Sequence, residues 1–408
     1  MTITCDIAII GGGLNGPALA LALAKTGLSI SIIDSIPRPK RAARDFDGRA
    51  YALSLATRRM LQALGVWTDV AAHSQPILDI VASDGRPGEG AAPWFLHFDH
   101  RELEEGPMGH MVEDRFLRPA LLDALDAHRN IRQLSGKTVS SQNIASDHVD
   151  LTLDGAEDIN AKLAVGCDGR HSATARRSGI ARMGWGYDQT ALVCAVAHEK
   201  PHLGVAHQFF APSGPLGILP LPGNRSSIVW VESCERAAEV AQLPDGEFVE
   251  ALKPVFGEFL GDITLDGTRF TYPLQLSLAR RFVADRVALV GDAAHGIHPL
   301  AGQGLNIGLR DVAALAEVIV TAIRRGEDFA AADVLARYQQ WRRFDVTSMA
   351  AATDGINRLF SNDNTPIRWG RDLGLGMFNK WPGARRALMR SAAGLTGDLP
   401  MLLQGRQI

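Results

Sequence analysis

Residues 291–311, GDAAHGIHPLAGQGLNIGLRD, set an acid, two histidines, a proline and several glycines between an apolar strand-like run, RVALV, and an apolar helix-like run, VAALAEVIV. A carboxylate at Asp292, where the strand ends, can hydrogen-bond a polyhydroxylated chain such as ribitol. Pro299 punctuates the loop, and Gly302 and Gly304 clear side chains away so that backbone can approach a flat ligand. A helix beginning near Leu305 and Asn306 would aim its unsatisfied N–H groups, with their partial positive charge, into the same gap. Such a gap suits a flat ring that gains negative charge on reduction. His295 and His298 have no visible partner carboxylate and no metal-ligand spacing, so both read first as satisfied loop histidines. His298 and Pro299 are the candidates for catalysis.

At the N-terminus, TCDIAIIGGGLNGPALALALAKTG reads as a buried parallel strand, a glycine turn and a helix. The spacing is G-x-G-x-x-G. Gly11 permits the tight turn, Gly13 lets a pyrophosphate approach the backbone, and Gly16 lets the helix pack on the strand, with the helix N-terminus facing the phosphates. A second strand, LSISIID, delivers Asp34 to where a carboxylate can accept hydrogen bonds from a ribose diol and would repel a 2'-phosphate. Either NAD or FAD satisfies these residues. A third stretch, KLAVGCDGRHSATARRSGI, ends an apolar strand at Asp168 and Gly169. By itself Asp-Gly after a strand is an ordinary turn, and it gains weight from the other two motifs.

Together, GGGLNG, CDGRHSATAR and GDAAHGIHPLAGQG resemble the class A FAD-dependent aromatic monooxygenases of para-hydroxybenzoate-hydroxylase-like fold. Within that class the chain is most similar to the ubiquinone-biosynthesis hydroxylases, through GRAYALSLATRRMLQALGVW, GPLGILPLPGNRSSIVW and the tail LFSNDNTPIRWGRDLGLGMFNKWPGARRALMRSAAGLTGDLPMLLQG. The resemblance implies FAD as cofactor, with Gly11, Gly13 and Gly16 at the pyrophosphate, Asp34 at the adenosine ribose, and Arg49 and Arg115 at the phosphate and ribityl region. It implies that Asp168 serves both FAD and NAD(P)H, that Asp292 binds ribitol, and that Pro299, Gly302 and Gly304 lie beside the isoalloxazine, where the helix start at Leu305 and Asn306 begins. Two positions depart from the family: Asp34 is one methylene shorter than the usual Glu, and Asp114 stands where Asn is common before Arg115. The implied reaction inserts one atom of O2 into a polyprenyl phenol through a flavin C4a-hydroperoxide. No second G-x-G-x-x-G follows a strand, so NADPH or NADH is expected to visit transiently. Tyr187, Tyr272, His207 and His298 are the groups that could deprotonate a phenol.

The elements that must position these residues are dispersed. A chain of 408 residues is expected to form about two domains. The motifs run from residue 11 to 304, so a Rossmann-like α/β FAD-binding domain is assembled from 1–72, 101–181 and 276–350. An inserted antiparallel-sheet substrate domain takes 73–100 and 182–275, where ALVCAVAH, GVAHQFF, GILPLP and SSIVWVES alternate with Gly, Pro and Asn. A helical C-terminus, 351–408, is expected to break at Pro366 and Pro382.

Composition excludes other classes. A formal net charge of -3 leaves no basic field for nucleic acid. The four cysteines form no CxxC pair, which argues against disulfides or zinc and for a cytoplasmic protein. Between Pro366 and Leu395 the cations Arg368, Arg371, Lys380, Arg385, Arg386 and Arg390 accompany Trp369, Leu373, Leu375, Met377, Phe378 and Trp381. That mixture predicts peripheral contact with the inner membrane surface, where a polyprenyl phenol resides, or packing on the protein body. The competing functions are hydroxylation of a small soluble phenol and structural FAD binding within a quinone-biosynthesis protein complex.

Overall fold

The computed structural model describes residues 2–86, 90–155, 157–298, 300–361, 374 and 376–408. Its first sheet is built on five parallel strands in the order Val287–Leu289, Asp158–Gly166, Thr2–Ile10, Ile30–Asp34, Ile131–Ser135. Strand side chains alternate between faces. Ile7 and Ile9 therefore pack under the helices Asn15–Leu23 and Gln303–Arg324, whereas Ala8 and Ile10 meet the pair Val139–Ile144 and Val149–Leu153 on the other side. Burial on both faces explains why the N-terminal strand reads as a continuous apolar run.

The second large sheet runs His295–Gly296, Ile263–Ala279, Arg182–His198, Arg225–Ser233, Gly214–Leu221, Val205–Ala211, Asp79–Arg86, Gly90–Asp99. It departs from a purely antiparallel sheet at one seam, where Val205–Ala211 pairs parallel with Asp79–Arg86. That partner comes from far earlier in the chain, so no hairpin constrains its direction. Helices Cys234–Gln242 and Asp245–Phe256 cover one face, the first through Ala237 and Val240 and the second through Phe248, Leu252 and Phe256. The short strand His295–Gly296 pairs with Ser277 and Leu278, which ties the GDAAH segment to this sheet.

A three-stranded sheet joins Ala50–Ser54, Gly109–Glu113 and Ser74–Ile77. Ser74–Ile77, which the sequence division placed with the substrate domain, pairs here with Gly109–Glu113. The C-terminal region contains helices Ala332–Phe360 and Pro382–Ala392. Pro382 opens its helix rather than breaking one, because its fixed φ suits the first helical turn and its missing N–H is not needed there. Pro366 lies outside the described residues.

Candidate functional site

The three glycine-bearing turns meet at the ends of the parallel strands. Gly11 has φ +112°, and a Cβ there would run into the backbone carbonyl of Cys167. The Gly16 position abuts the Gly11 carbonyl in the same way, so the first turn and the Asp168 strand touch backbone to backbone. Gly13 differs, since a Cβ there would meet nothing within 4 Å. It opens into a cavity of about 350 Å³ shared with Gly11, Asp34, Asp168 and Arg177.

Asp34 accepts hydrogen bonds from the backbone N–H of Gly12 at 2.6 Å and of Ile36 at 2.7 Å, so this acid also clamps the turn. Buried Arg41 completes the clamp by donating to the Gly12 carbonyl at 2.8 Å. Asp168 turns its carboxylate onto the next helix, accepting from Ser172 Oγ at 2.5 Å and from the backbone N–H of Thr174 at 2.9 Å. That capping role follows from the rule that side-chain oxygens satisfy orphan N–H groups at helix starts.

A larger cavity, about 500 Å³, lies between the GDAAH turn and the second sheet. Asp292, Ile297, His298, Leu300, Gly302, Gly304 and Leu305 line one side; Ala191, Val193, Val229, Val231 and Leu274 form an apolar wall opposite. The Asp292 carboxylate has no hydrogen-bond partner among the described residues, while Arg182 holds this turn by donating to the carbonyls of Asp292 and Ala293. Gly302, at φ +63°, caps the helix Gln303–Arg324, which starts two residues earlier than the sequence suggested. A Cβ on Gly304 would again meet nothing within 4 Å. Asn306 does not line the cavity: its amide accepts from Ser54 N–H at 2.9 Å and Thr57 Oγ1 at 2.8 Å and donates to the Ala52 carbonyl at 2.8 Å. Pro299 lies outside the described residues.

Of the two arginines, Arg49 lines the larger cavity and Arg115 lines neither. Arg115 donates to Glu113 at 2.6 Å and lies over the Phe46 ring, 4.9 Å from its centroid. Arg118, one helical turn further on, lines the cavity instead, as does Arg170. Asp114 draws Arg118 there, accepting from it at 2.8 and 3.0 Å and from Tyr51 Oη at 2.8 Å. Residues four apart share a helix face, so an acid in the first turn selects Arg118 rather than its immediate neighbour Arg115.

Among the four phenol-facing candidates, His298 and Tyr272 line the cavity. Tyr187 stands edge-on to His298, with ring centroids 5.1 Å apart. His207 packs against Phe259 instead, because its neighbour Gln208 takes the cavity face. Burial pushes both His298 and His207 down to about 4, which leaves them neutral at pH 7.

His295 has a carboxylate partner that its surrounding sequence did not reveal. It bonds Asp311 at 2.5 Å, and Asp311 also accepts from the Gly291 backbone N–H at 2.9 Å and from Arg342 Nε at 2.7 Å. Asn15 was missed as well: it lines the larger cavity, and its Oδ1 is buried without a partner among the described residues. Its amide lies where Cβ atoms on Gly291 or Gly308 would fall, which knits the first and third motifs together.

The two cavities are lined by neighbouring residues of the first turn, Gly11 and Gly13 in the smaller and Leu14 and Asn15 in the larger. Gly13 and Gly304 open onto space, Asp292 has no side-chain partner among the described residues, and the first turn of helix Gln303–Arg324 lines the larger cavity. These features fit a dinucleotide with a planar ring in the larger cavity and its phosphates beside Gly13. Among the described residues, no cluster of His, Cys, Asp and Glu could hold a metal ion.

Comparison with known proteins agrees with this geometry. A family model described as an FAD binding domain matches residues 4–353. The ubiquinone hydroxylase UbiL of Rhodospirillum rubrum is 44% identical over 403 residues, covering 98% of this chain and 92% of that protein. The 3-demethoxyubiquinol 3-hydroxylase of Escherichia coli is 36% identical over 392 residues, covering 96% of this chain and 98% of that protein. Among solved structures, p-nitrophenol 4-monooxygenase from Pseudomonas putida superposes with a TM-score of 0.80 at 20% identity, covering 97% of this chain and 99% of that one, a likeness of fold.

Proposed function

This chain belongs to the FAD-binding monooxygenases that include the ubiquinone hydroxylases, and from that premise we propose that it hydroxylates the ring of a polyprenyl phenol in ubiquinone biosynthesis. The observation that carries the reading is one cavity faced on one side by Asp292 and the glycine-opened helix start and on the other by an apolar sheet. Bound FAD, reduced by visiting NADPH or NADH, supplies the activation of O2 and the oxygen atom that is transferred.

The chain's own residues supply position and environment. Gly11, Gly13 and Gly16 bring the first turn to the pyrophosphate, and Asp34 accepts from the adenosine ribose. Arg49 and Arg118 flank the ribityl end, and Asp292 accepts from ribityl hydroxyls. The backbone N–H groups at Gly304 and Leu305 stabilise negative charge on the reduced ring. The wall of Ala191, Val193, Val229, Val231 and Leu274 excludes water and holds an aromatic substrate within reach. In the test, FAD-loaded protein receives NADPH or NADH, a prenylated phenol in detergent and isotopically labelled O2. One labelled oxygen atom in the product is expected; nucleotide oxidation without label in any phenol, prenylated or soluble, would reject the reading.

We further place the C-terminal helix Pro382–Ala392 and the residues just before it at a membrane surface. Met377, Phe378, Trp381 and Leu388 are 65, 45, 67 and 44% exposed. Arg385 and Arg390 are tied to the body through Glu102 and Glu105, each at 2.8 Å, so Lys380 and Arg386 are left to meet anionic headgroups. Arg368, Arg371, Trp369, Leu373 and Leu375 lie outside the described residues. No described helix is long and apolar enough to cross a membrane. Replacing Met377, Phe378 and Trp381 together by Ser should weaken cosedimentation with anionic vesicles at least ~10-fold, since each apolar side chain contributes about 1.5–3 kcal/mol on full burial. Unchanged cosedimentation would remove the membrane role.

A further inference from the structure

We propose that His298 and Tyr187 form a paired recognition site for a single uncharged ring hydroxyl of the substrate. The inference rests on the hydroxylase reading above and gives that cavity its polar end. His298 is fully buried, and neither ring nitrogen has a hydrogen-bond partner among the described residues. The Tyr187 hydroxyl is likewise buried and makes no well-formed hydrogen bond among the described residues, with the Asp354 carboxylate standing close by. The two rings meet edge to face at 80°, and Tyr187 packs against Ala191, Val231 and Leu274, three residues of the cavity wall.

Buried polar atoms in native proteins are almost always paired, and leaving one unpaired is costly. Nearby His295 is just as buried, yet its Nε2 is bonded to Asp311. Three polar atoms on two touching rings, none with a hydrogen bond among the described residues, therefore mark a place for a partner from outside the chain.

The chemistry of the two rings selects that partner. Burial holds His298 near 4, so the imidazole is neutral and offers one bare nitrogen that accepts and one N–H that donates. Burial and the nearby Asp354 push the Tyr187 phenol up, so its O–H is retained as a donor. A phenolic hydroxyl has one proton to give and lone pairs to receive. It can donate to the bare imidazole nitrogen while accepting from Tyr187 Oη. A carboxylate could only accept, would leave the imidazole acceptor unpaired, and would carry its charge against an apolar wall near Asp354. The site therefore distinguishes a neutral phenol from both a benzoate and a plain hydrocarbon ring.

The test measures binding, independently of turnover, through the change that a ligand makes in the visible absorbance of the FAD-loaded protein. The probes are a phenol bearing a two-unit isoprenoid chain and the same hydrocarbon without its hydroxyl. The wild type should prefer the phenol, and Tyr187→Phe and His298→Leu should each weaken phenol binding about 10- to 100-fold while leaving hydrocarbon binding and flavin occupancy unchanged. His298→Gln, which keeps a donor and an acceptor, should recover part of the loss. Equal binding of the two probes by the wild type, binding of neither, or parallel losses for both in Tyr187→Phe would overturn the proposal. Hydroxyl discrimination without oxygen transfer would support the recognition site while rejecting the hydroxylase reading.

Discussion

Asp311→Ala is expected to destabilise the protein by about 3–5 kcal/mol, the cost of removing one partner from a buried ion pair. Asp311 and Arg342 are 0 and 1% exposed, so the guanidinium left behind could not turn to water. Arg342 would keep Asp345, which accepts at 2.8 Å, but Gly291 N–H and His295 would both lose their acceptor. Gly291 sits at φ +63° and carries Asp292 with it, so loosening its N–H should also reduce FAD retention. Asp311→Asn retains an acceptor and should fall between wild type and Ala. A urea midpoint for Asp311→Ala within error of wild type would show that the network contributes nothing. Burial alone would raise the Asp311 carboxyl, but His295 and Arg342 outweigh it and hold the group below its ordinary value. A carboxyl depressed on folding contributes stability above its unfolded pKa and loses it as pH falls through the folded value. The Asp311 contribution should therefore persist at neutral pH and disappear only in acid below the usual carboxylate range.

The parts of this site that were legible in the sequence are those set by local backbone. A strand, a glycine turn and a helix write themselves within about twenty residues, so Gly11, Gly13, Gly16, Asp34, Asp168 and the Asp292–Leu305 segment could be picked out along the chain. The glycines and acids among them line a cavity except Gly16, which packs against the Gly11 carbonyl, and Gly296, which pairs with Ser277 in the second sheet. What escaped was decided by which way a side chain faces after folding. Arg115 and Arg118 are equally basic in a linear reading, and only the pull of Asp114 across one helical turn separates them. His207 and Gln208 alternate across a strand whose cavity face depends on the sheet packed behind it. His295 finds its carboxylate sixteen residues on, and Arg342 reaches the same oxygen pair from another helix. The parallel seam between Val205–Ala211 and Asp79–Arg86 is similarly a long-range pairing that turn residues do not announce.

The same distinction separates two glycines of one motif by experiment. A methyl group at Gly16 would lie well within van der Waals contact distance of the Gly11 carbonyl oxygen and 3.3 Å from Ile9 Cγ2. Backbone on one side and a core side chain on the other leave nothing to give way. Gly16→Ala should therefore destabilise the FAD-free protein by about 1–3 kcal/mol or more through overpacking. Gly13 has no positive φ and no atom within 4 Å of its missing Cβ, so Gly13→Leu should leave FAD-free stability within about 0.5 kcal/mol of wild type. Its side chain would instead project into the cavity where the pyrophosphate must run beside the turn. FAD affinity should fall on the order of 100-fold, equivalent to ~2.8 kcal/mol. Urea unfolding of the FAD-free proteins and a fluorescence titration with FAD measure the two quantities separately. If Gly13→Leu bound FAD as tightly as wild type, the cofactor would have to cross the protein by a route other than the glycine turn.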